Sequence, residues 1–195
     1  MHALRVIRAE HRSLASVIHG LAYLARAARD APADFALLAA MLRYIDAFPE
    51  RFHHPKEDAW LFARLRARHP PAAPLLDALQ REHRDGAARL RDLHAALRAW
   101  QAACGDAGRE SAARAAFAAA IDGYAAFHRA HMAREEREVM PLCEAHFGDG
   151  DWAEVDAAFA AHDDPLAGTG GAQAFGELFR RIVSAAPPPV GTGAG

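Results

Sequence analysis

The sequence predicts an all-α protein: an antiparallel up-down-up-down four-helix bundle followed by one or two short C-terminal helices. Three observations favour this fold class. The 195 residues contain no alternating apolar and polar runs typical of strands, and the good helix formers alanine, leucine and arginine dominate them. Apolar residues recur at spacings of three and four, and short breakers rich in proline and glycine divide them into four long segments. Long amphipathic helices with short connections are typical of such bundles.

The first two helices are predicted over residues 4–29 and 33–68. Pro32 separates them, since a proline commonly follows the last turn of a helix. Pro49 and Pro55 fall inside the second helix, and each should kink it because proline lacks a backbone donor. The side chains of the second helix that we expect to face inward are Leu38, Leu42, Ile45, Phe52 and Leu61.

The third and fourth helices are predicted over residues 73–103 and 110–146, each followed by a glycine-containing breaker. Two shorter helices follow, at about residues 151–162 and 172–185. We therefore expect the chain to have three parts. These are a four-helix bundle over residues 1–147, a helical extension packed on it over 148–186, and a disordered Pro/Gly tail over 187–195.

The composition limits the classes of function. The 23 basic and 25 acidic side chains leave no positive excess that would favour nucleic acid or an anionic membrane as a partner. No run approaches the ~20 apolar residues that span a bilayer, and the two residues Cys104 and Cys143 form no disulfide framework. The sequence therefore predicts a cytoplasmic protein that binds neither nucleic acid nor a membrane. The unusual number is 12 histidines, because histidine is the commonest metal ligand.

Four histidines occupy positions where the apolar pattern predicts a core residue. His11 lies between Ile7 and Leu14, and each of the other three long helices carries one histidine in a comparable position. One such histidine is usually a core residue with its own hydrogen bonds. Four that face one interior indicate a shared partner, because a buried imidazole without a partner is costly. The four are His11, His53, His83 and His131.

Two of these histidines have a glutamate one helical turn later. His53 and Glu57, like His131 and Glu135, are spaced i,i+4, which places both side chains on one face of a helix. The resulting six ligands, four nitrogen and two oxygen, are too many for a tetrahedral zinc site. They suit two metals of octahedral preference bridged by the carboxylates, iron or manganese in particular. Gly86, one turn after the third-helix histidine, leaves room for the metals or a small ligand.

Some neighbouring assignments stay open. His54 and Asp58 form a second i,i+4 pair, and a register shift of one residue on the kinked helix would exchange them for His53 and Glu57. Without that shift, we expect His54 and Asp58 beside the ligands or on the surface. The residues expected to support the imidazoles rather than to bind metal are Glu82, Tyr124 and His128.

At these residues the sequence resembles the hemerythrin-like family, also called the HHE cation-binding domain. The resemblance covers nearly all of the chain before the tail. It rests on His11, His53-His54-Pro55-Lys56-Glu57-Asp58, Glu82-His83, and His131 with Glu135-Glu136. Oxygen-carrying hemerythrins have a second histidine four residues after the third-helix one, where this chain has Ala87. The set of four histidines and two glutamates is similar to that of di-iron proteins implicated in repairing damaged iron–sulfur clusters.

The resemblance implies a non-haem di-iron protein whose ligand is a diatomic gas (O2 or NO) or peroxide. Its cofactor would be two iron ions joined by a bridging oxide or hydroxide, with manganese or zinc as alternatives. The metal ligands would be His11, His53, Glu57, His83, His131 and Glu135. Two other functions stay open: an enzyme or iron donor in oxidative or nitrosative stress repair, and a metal-free helical interaction protein. Formation of a homodimer through the C-terminal helices is also open.

Overall fold

The computed structural model describes residues 1–28, 32–161, 180 and 183–184. Within these residues 93 % are helical and none lies in a strand, which confirms the all-α class. The helices between residues 2 and 161 are α1 (His2–Ala27), α2 (35–68), α3 (Ala73–Ala103), α4 (107–146) and α5 (Asp149–Ala161). No helix in the described part of the chain combines the length and the apolar character needed to cross a membrane.

Each of the four long helices packs against at least two of the others, and the last segment of α2, Ala63–Arg68, also contacts α4. Helix α1 packs against α2 and α4, and α3 packs against the same two. This closed ring of neighbours is consistent with a four-helix bundle. Helix α5 lies against α1 and α2, and its Asp156 accepts hydrogen bonds from the backbone N–H groups of His2 and Ala3 at 2.9 and 2.8 Å. The helix expected over 172–185 lies outside the described residues except at positions 180, 183 and 184, and the tail over 187–195 lies wholly outside them.

Helix α2 continues through its two prolines. Its α-helical segments Phe35–Ile45, His54–Lys56 and Ala63–Arg68 alternate with the π-helical segments Asp46–His53 and Glu57–Phe62. A π-turn holds more residues than an α-turn, so the inward-facing stripe shifts along the helix. The prediction that Phe52 faces inward is wrong for this reason, because that side chain is 43 % exposed while His53 and His54 are both buried. Helix α4 contains a further π-helical segment, Glu135–Val139.

Two separate apolar clusters lie on either side of a buried polar layer. On α1, Ile7 belongs to one cluster, Leu14 belongs to the other, and His11 lies between them. The same arrangement holds on α2, α3 and α4, where buried histidines or glutamates separate members of the two clusters. Bulk water is therefore kept from the polar layer along the helix axes.

Candidate metal centre

Glu57 lies among three of the predicted histidines. Its Oε2 is 3.5 Å from His53 Nε2 and 3.7 Å from His83 Nε2, and its Oε1 is 3.8 Å from His11 Nε2. The glutamate is fully buried, and none of the three imidazoles is more than 6 % exposed. One carboxylate from α2 therefore reaches imidazoles on α1, α2 and α3.

Glu135 occupies the corresponding place on α4. Its Oε2 is 3.2 Å from His11 Nε2, and its Oε1 is 3.2 Å from His131 Nε2 and 3.5 Å from His83 Nε2. Glu135 and His131 are 1 % and 2 % exposed. The structure thus brings together all six residues that the sequence suggested as ligands, and both carboxylates lie where they can bridge two ions.

The ligand atoms fall into two groups, and within each group all of them lie within 4.8 Å of one another. One group is His11, His53, Glu57 and Glu135, and the other is His54, His83 and His131. His54 is therefore an additional candidate ligand, and its ring stacks on that of His83 with 4.1 Å between the centroids. Asp58 does not replace Glu57 at the centre, because it binds the outer nitrogen of His83. Sequence spacing left His54 open because it does not show the π-turns.

In each of the four histidines predicted as ligands, the outer ring nitrogen, Nδ1, binds a carboxylate of a neighbouring helix. The Nδ1–H groups of His11, His53, His83 and His131 donate to Glu136, Glu10, Asp58 and Glu82 at 2.8, 2.7, 3.2 and 2.9 Å respectively. These bonds join α1 to α4, α2 to α1, α3 to α2 and α4 to α3, which closes a ring around the centre. Such carboxylates orient the ring and leave Nε2 to face a metal.

Sequence reasoning anticipated only part of this ring. Glu82 was expected to support an imidazole, and Glu136 was quoted only for the family resemblance, whereas Glu10 was not singled out. Apart from that resemblance, the only signal of Glu10 and Glu136 in the sequence is adjacency to His11 and Glu135, and the helix packing decides which imidazole each one meets. Glu10 also accepts a hydrogen bond from the buried Lys56 Nζ at 2.9 Å.

Seven buried atoms at the centre have no hydrogen-bond partner among the described residues. They are Nε2 of His11, His83 and His131, together with both carboxylate oxygens of Glu57 and Glu135. An unsatisfied buried polar atom costs about 1–3 kcal/mol, so a set of this size is unfavourable as a plain core. Imidazole nitrogens and carboxylate oxygens that face one space are the donor set of a metal centre, and the residues present therefore fit a pair of cations.

The pKa values of the two central glutamates are shifted in opposite directions. Burial and the charge of Glu135 raise the pKa of Glu57 well above its ordinary value. Burial acts in the same direction on Glu135, but His11, His131 and His83 outweigh it and hold the pKa of Glu135 well below its ordinary value. Without metal, burial therefore favours the protonated form of Glu57, and the three imidazoles favour the ionised form of Glu135. Two bound cations would favour the ionised form of both.

Comparison with known proteins identifies one family. The model of the hemerythrin HHE cation binding domain matches residues 2–143. This range contains α1, α2 and α3 entirely and α4 as far as Cys143, and it includes every member of the two ligand groups. No curated protein and no solved structure matches the chain significantly.

Proposed function

We propose, since the chain belongs to the hemerythrin HHE cation-binding domain family, that it binds a pair of metal ions among its four long helices. His11 and His53 would hold one ion, and His54, His83 and His131 would hold the other. Glu57 and Glu135, whose oxygens approach imidazoles of both groups, would supply carboxylate ligands to the pair and balance its charge. The four helices run alternately up and down, which is supported by the two apolar clusters, since their order along the chain reverses from each helix to the next.

The observation that carries the proposal is the set of seven buried, unpartnered atoms between Glu57 and Glu135. A metal-free interaction protein would gain nothing from these atoms, and apolar side chains of similar volume would make a more stable core. Metal ions would satisfy all of them at once. The closed ring of outer carboxylates supports the same reading, because it presets the orientation that metal ligands need.

Iron is the metal of this proposal, with manganese and zinc as alternatives. Iron and manganese typically bind to sites that combine imidazole and carboxylate ligands and that offer a pair of ions more than four ligands in total. When bound, an iron pair supplies redox chemistry toward O2, NO or peroxide. The chain itself holds the imidazoles in one orientation and keeps bulk water out with the apolar clusters on both sides.

Anaerobic reconstitution with ferrous iron, followed by metal analysis and optical spectroscopy, tests the proposal. We expect about two ions per chain and a spectrum that changes when O2, NO or peroxide is added. A change that reverses on degassing indicates a binding protein, and consumption of many equivalents indicates an enzyme in stress repair. The proposal is wrong if the folded protein retains well below one ion per chain with iron, manganese and zinc alike.

His54→Ala is expected to weaken only one of the two ions, because His54 belongs to one ligand group and not to the other. Metal content after dialysis should fall from about two ions to about one per chain. His94→Ala is the matched control, since this α3 histidine belongs to neither group. Equal metal content in the wild type and in both variants would show that His54 is not a ligand.

A further inference from the structure

Of the four outer carboxylates that bind an imidazole, Glu10 is the one that is closed off from solvent. Its side chain is fully buried. The exposed fractions of the other three side chains are 39 % for Glu136, 34 % for Asp58 and 25 % for Glu82. Lys56 Nζ donates to Glu10 Oε1 at 2.9 Å, and His53 Nδ1 donates to Glu10 Oε2 at 2.7 Å. One oxygen of Glu10 therefore binds a cation and the other binds a candidate metal ligand.

Lys56 is buried as well and connects this carboxylate to α5. Only 6 % of its side chain is exposed. Its ammonium group lies over the ring of Phe159 on α5, 4.9 Å from the ring centroid. An ammonium group removed from water is attracted to the face of an aromatic ring. A chain of direct contacts therefore runs from Phe159 through Lys56 and Glu10 to His53.

Helix α5 is anchored on both helices that contribute to this chain of contacts. Asp156 accepts from the first two backbone N–H groups of α1. Asp151 is buried and accepts from Arg64 Nη1 at 2.9 Å and from Arg68 Nε at 3.1 Å, both on α2. All of α5 lies beyond residues 2–143, the range that the family model matches. The contact of Phe159 with Lys56 therefore comes from outside the matched domain.

The buried pair of Glu10 and Lys56 is better explained by orientation than by packing. A buried ion pair adds little net stability, because the loss of hydration offsets the attraction between the charges, and apolar side chains would pack as well. Glu10 cannot turn away from His53 without also leaving the buried ammonium group unpaired. A carboxylate held in this way fixes the orientation of its imidazole, which supports the affinity for a metal.

We propose that Lys56 is a positioning residue for the candidate ligand His53, and that the docking of α5 on Lys56 strengthens binding of the ion held by His11 and His53. This inference rests on the proposed metal centre and concerns one of its two ions. The ion of the other ligand group should respond less, because the carboxylates behind its imidazoles, Asp58 and Glu82, are partly exposed. Since coupling between two binding events is reciprocal, metal binding also strengthens the docking of α5.

Anaerobic titration with ferrous iron, in competition with a chromophoric chelator, measures the two binding steps. Lys56→Met keeps an unbranched side chain beneath Phe159 but lacks the ammonium group. It should weaken one step about tenfold and the other less than about twofold. Phe159→Leu should weaken the same step roughly fivefold, because it removes the aromatic face. Phe117→Leu, the same change in the apolar cluster on the other side of the polar layer, is the control and should alter neither step.

Hydrogen exchange of the backbone amides of α5 supplies a measurement that needs no substitution. Ferrous iron added to the wild type should slow exchange in α5 about tenfold, because the coupling factor is the same in both directions. In Lys56→Met this slowing should be absent, although the protein still binds the other ion.

Equal weakening of both steps by Lys56→Met, or no weakening of either, would overturn the positioning role. Unchanged affinity in Phe159→Leu would overturn the coupling to α5, and so would wild-type exchange in α5 that does not respond to iron. These last two measurements decide the matter if Lys56→Met does not fold. Failure of the metal centre itself would be seen separately, as a wild-type protein that binds no iron.

Discussion

Glu135→Ala is expected to empty both metal sites while the helices remain folded. Glu135 lies within 3.5 Å of the inner nitrogens of His11, His83 and His131, which belong to both ligand groups. Its removal takes away one of the two proposed bridges and leaves Glu57 as the remaining carboxyl group among the central imidazoles. Metal analysis after reconstitution and dialysis should find nearly no bound iron, and circular dichroism should still show a helical protein.

Two neighbours on the same π-helical segment supply a graded series. Glu136 supports His11 through its outer nitrogen, so Glu136→Ala should weaken metal binding by roughly 10–100-fold rather than abolish it. Glu138 is 52 % exposed, and its ion pair, at 3.9 Å, is with Arg134 and not with a histidine of the centre. Glu138→Ala should therefore leave the metal content unchanged. If a folded Glu135→Ala protein kept its full metal content, the proposed bridging role would be wrong.

Removal of both metals is expected to lower the thermal midpoint by about 16–32 °C, because two sites together contribute about 8 kcal/mol. A ligand present at a thousandfold excess over its dissociation constant stabilises the folded state by about 4 kcal/mol per site. For a chain of this size each kcal/mol corresponds to about 2–4 °C. The physical cause lies in the seven buried atoms that lose their partners when the ions leave. Thermal unfolding of iron-loaded protein and of chelator-treated protein, followed by circular dichroism, measures the difference.

Glu135→Ala is the control for this stabilisation. It removes two of the unpartnered oxygens and the ability to hold metal, so its midpoint should not respond to added iron. A wild-type midpoint that is identical with and without bound iron would contradict the link between the metal centre and the stability of the fold.

The sequence predicts the long helices well because their signals are local. Apolar spacing and the proline or glycine breakers predict α3 over residues 73–103, which is its range in the structure. They predict that α4 begins at residue 110, three residues after its observed start at residue 107. The same reasoning brings His11, His53, His83 and His131 to one layer, since a polar residue in an apolar stripe is visible without any knowledge of the partner helix.

The rest depends on non-local packing and on backbone geometry. The prolines of α2 suggest kinks, but they do not reveal the π-turns that expose Phe52 and bury His54 with the candidate ligands. The meeting of Glu10 with His53 joins residues 43 positions apart. No spacing rule within one helix can indicate such a pair.

The closed ring of histidine–carboxylate bonds has a mechanical consequence. Every long helix contributes an imidazole to one neighbour and a carboxylate to the other. Sliding or rotating any single helix would therefore break two bonds at once, and it could not be compensated by moving one neighbour alone. The ring of bonds therefore fixes the position of each of the four helices along its axis relative to its neighbours. When an ion leaves, the vacated ligands stay in place, and reloading needs little conformational search.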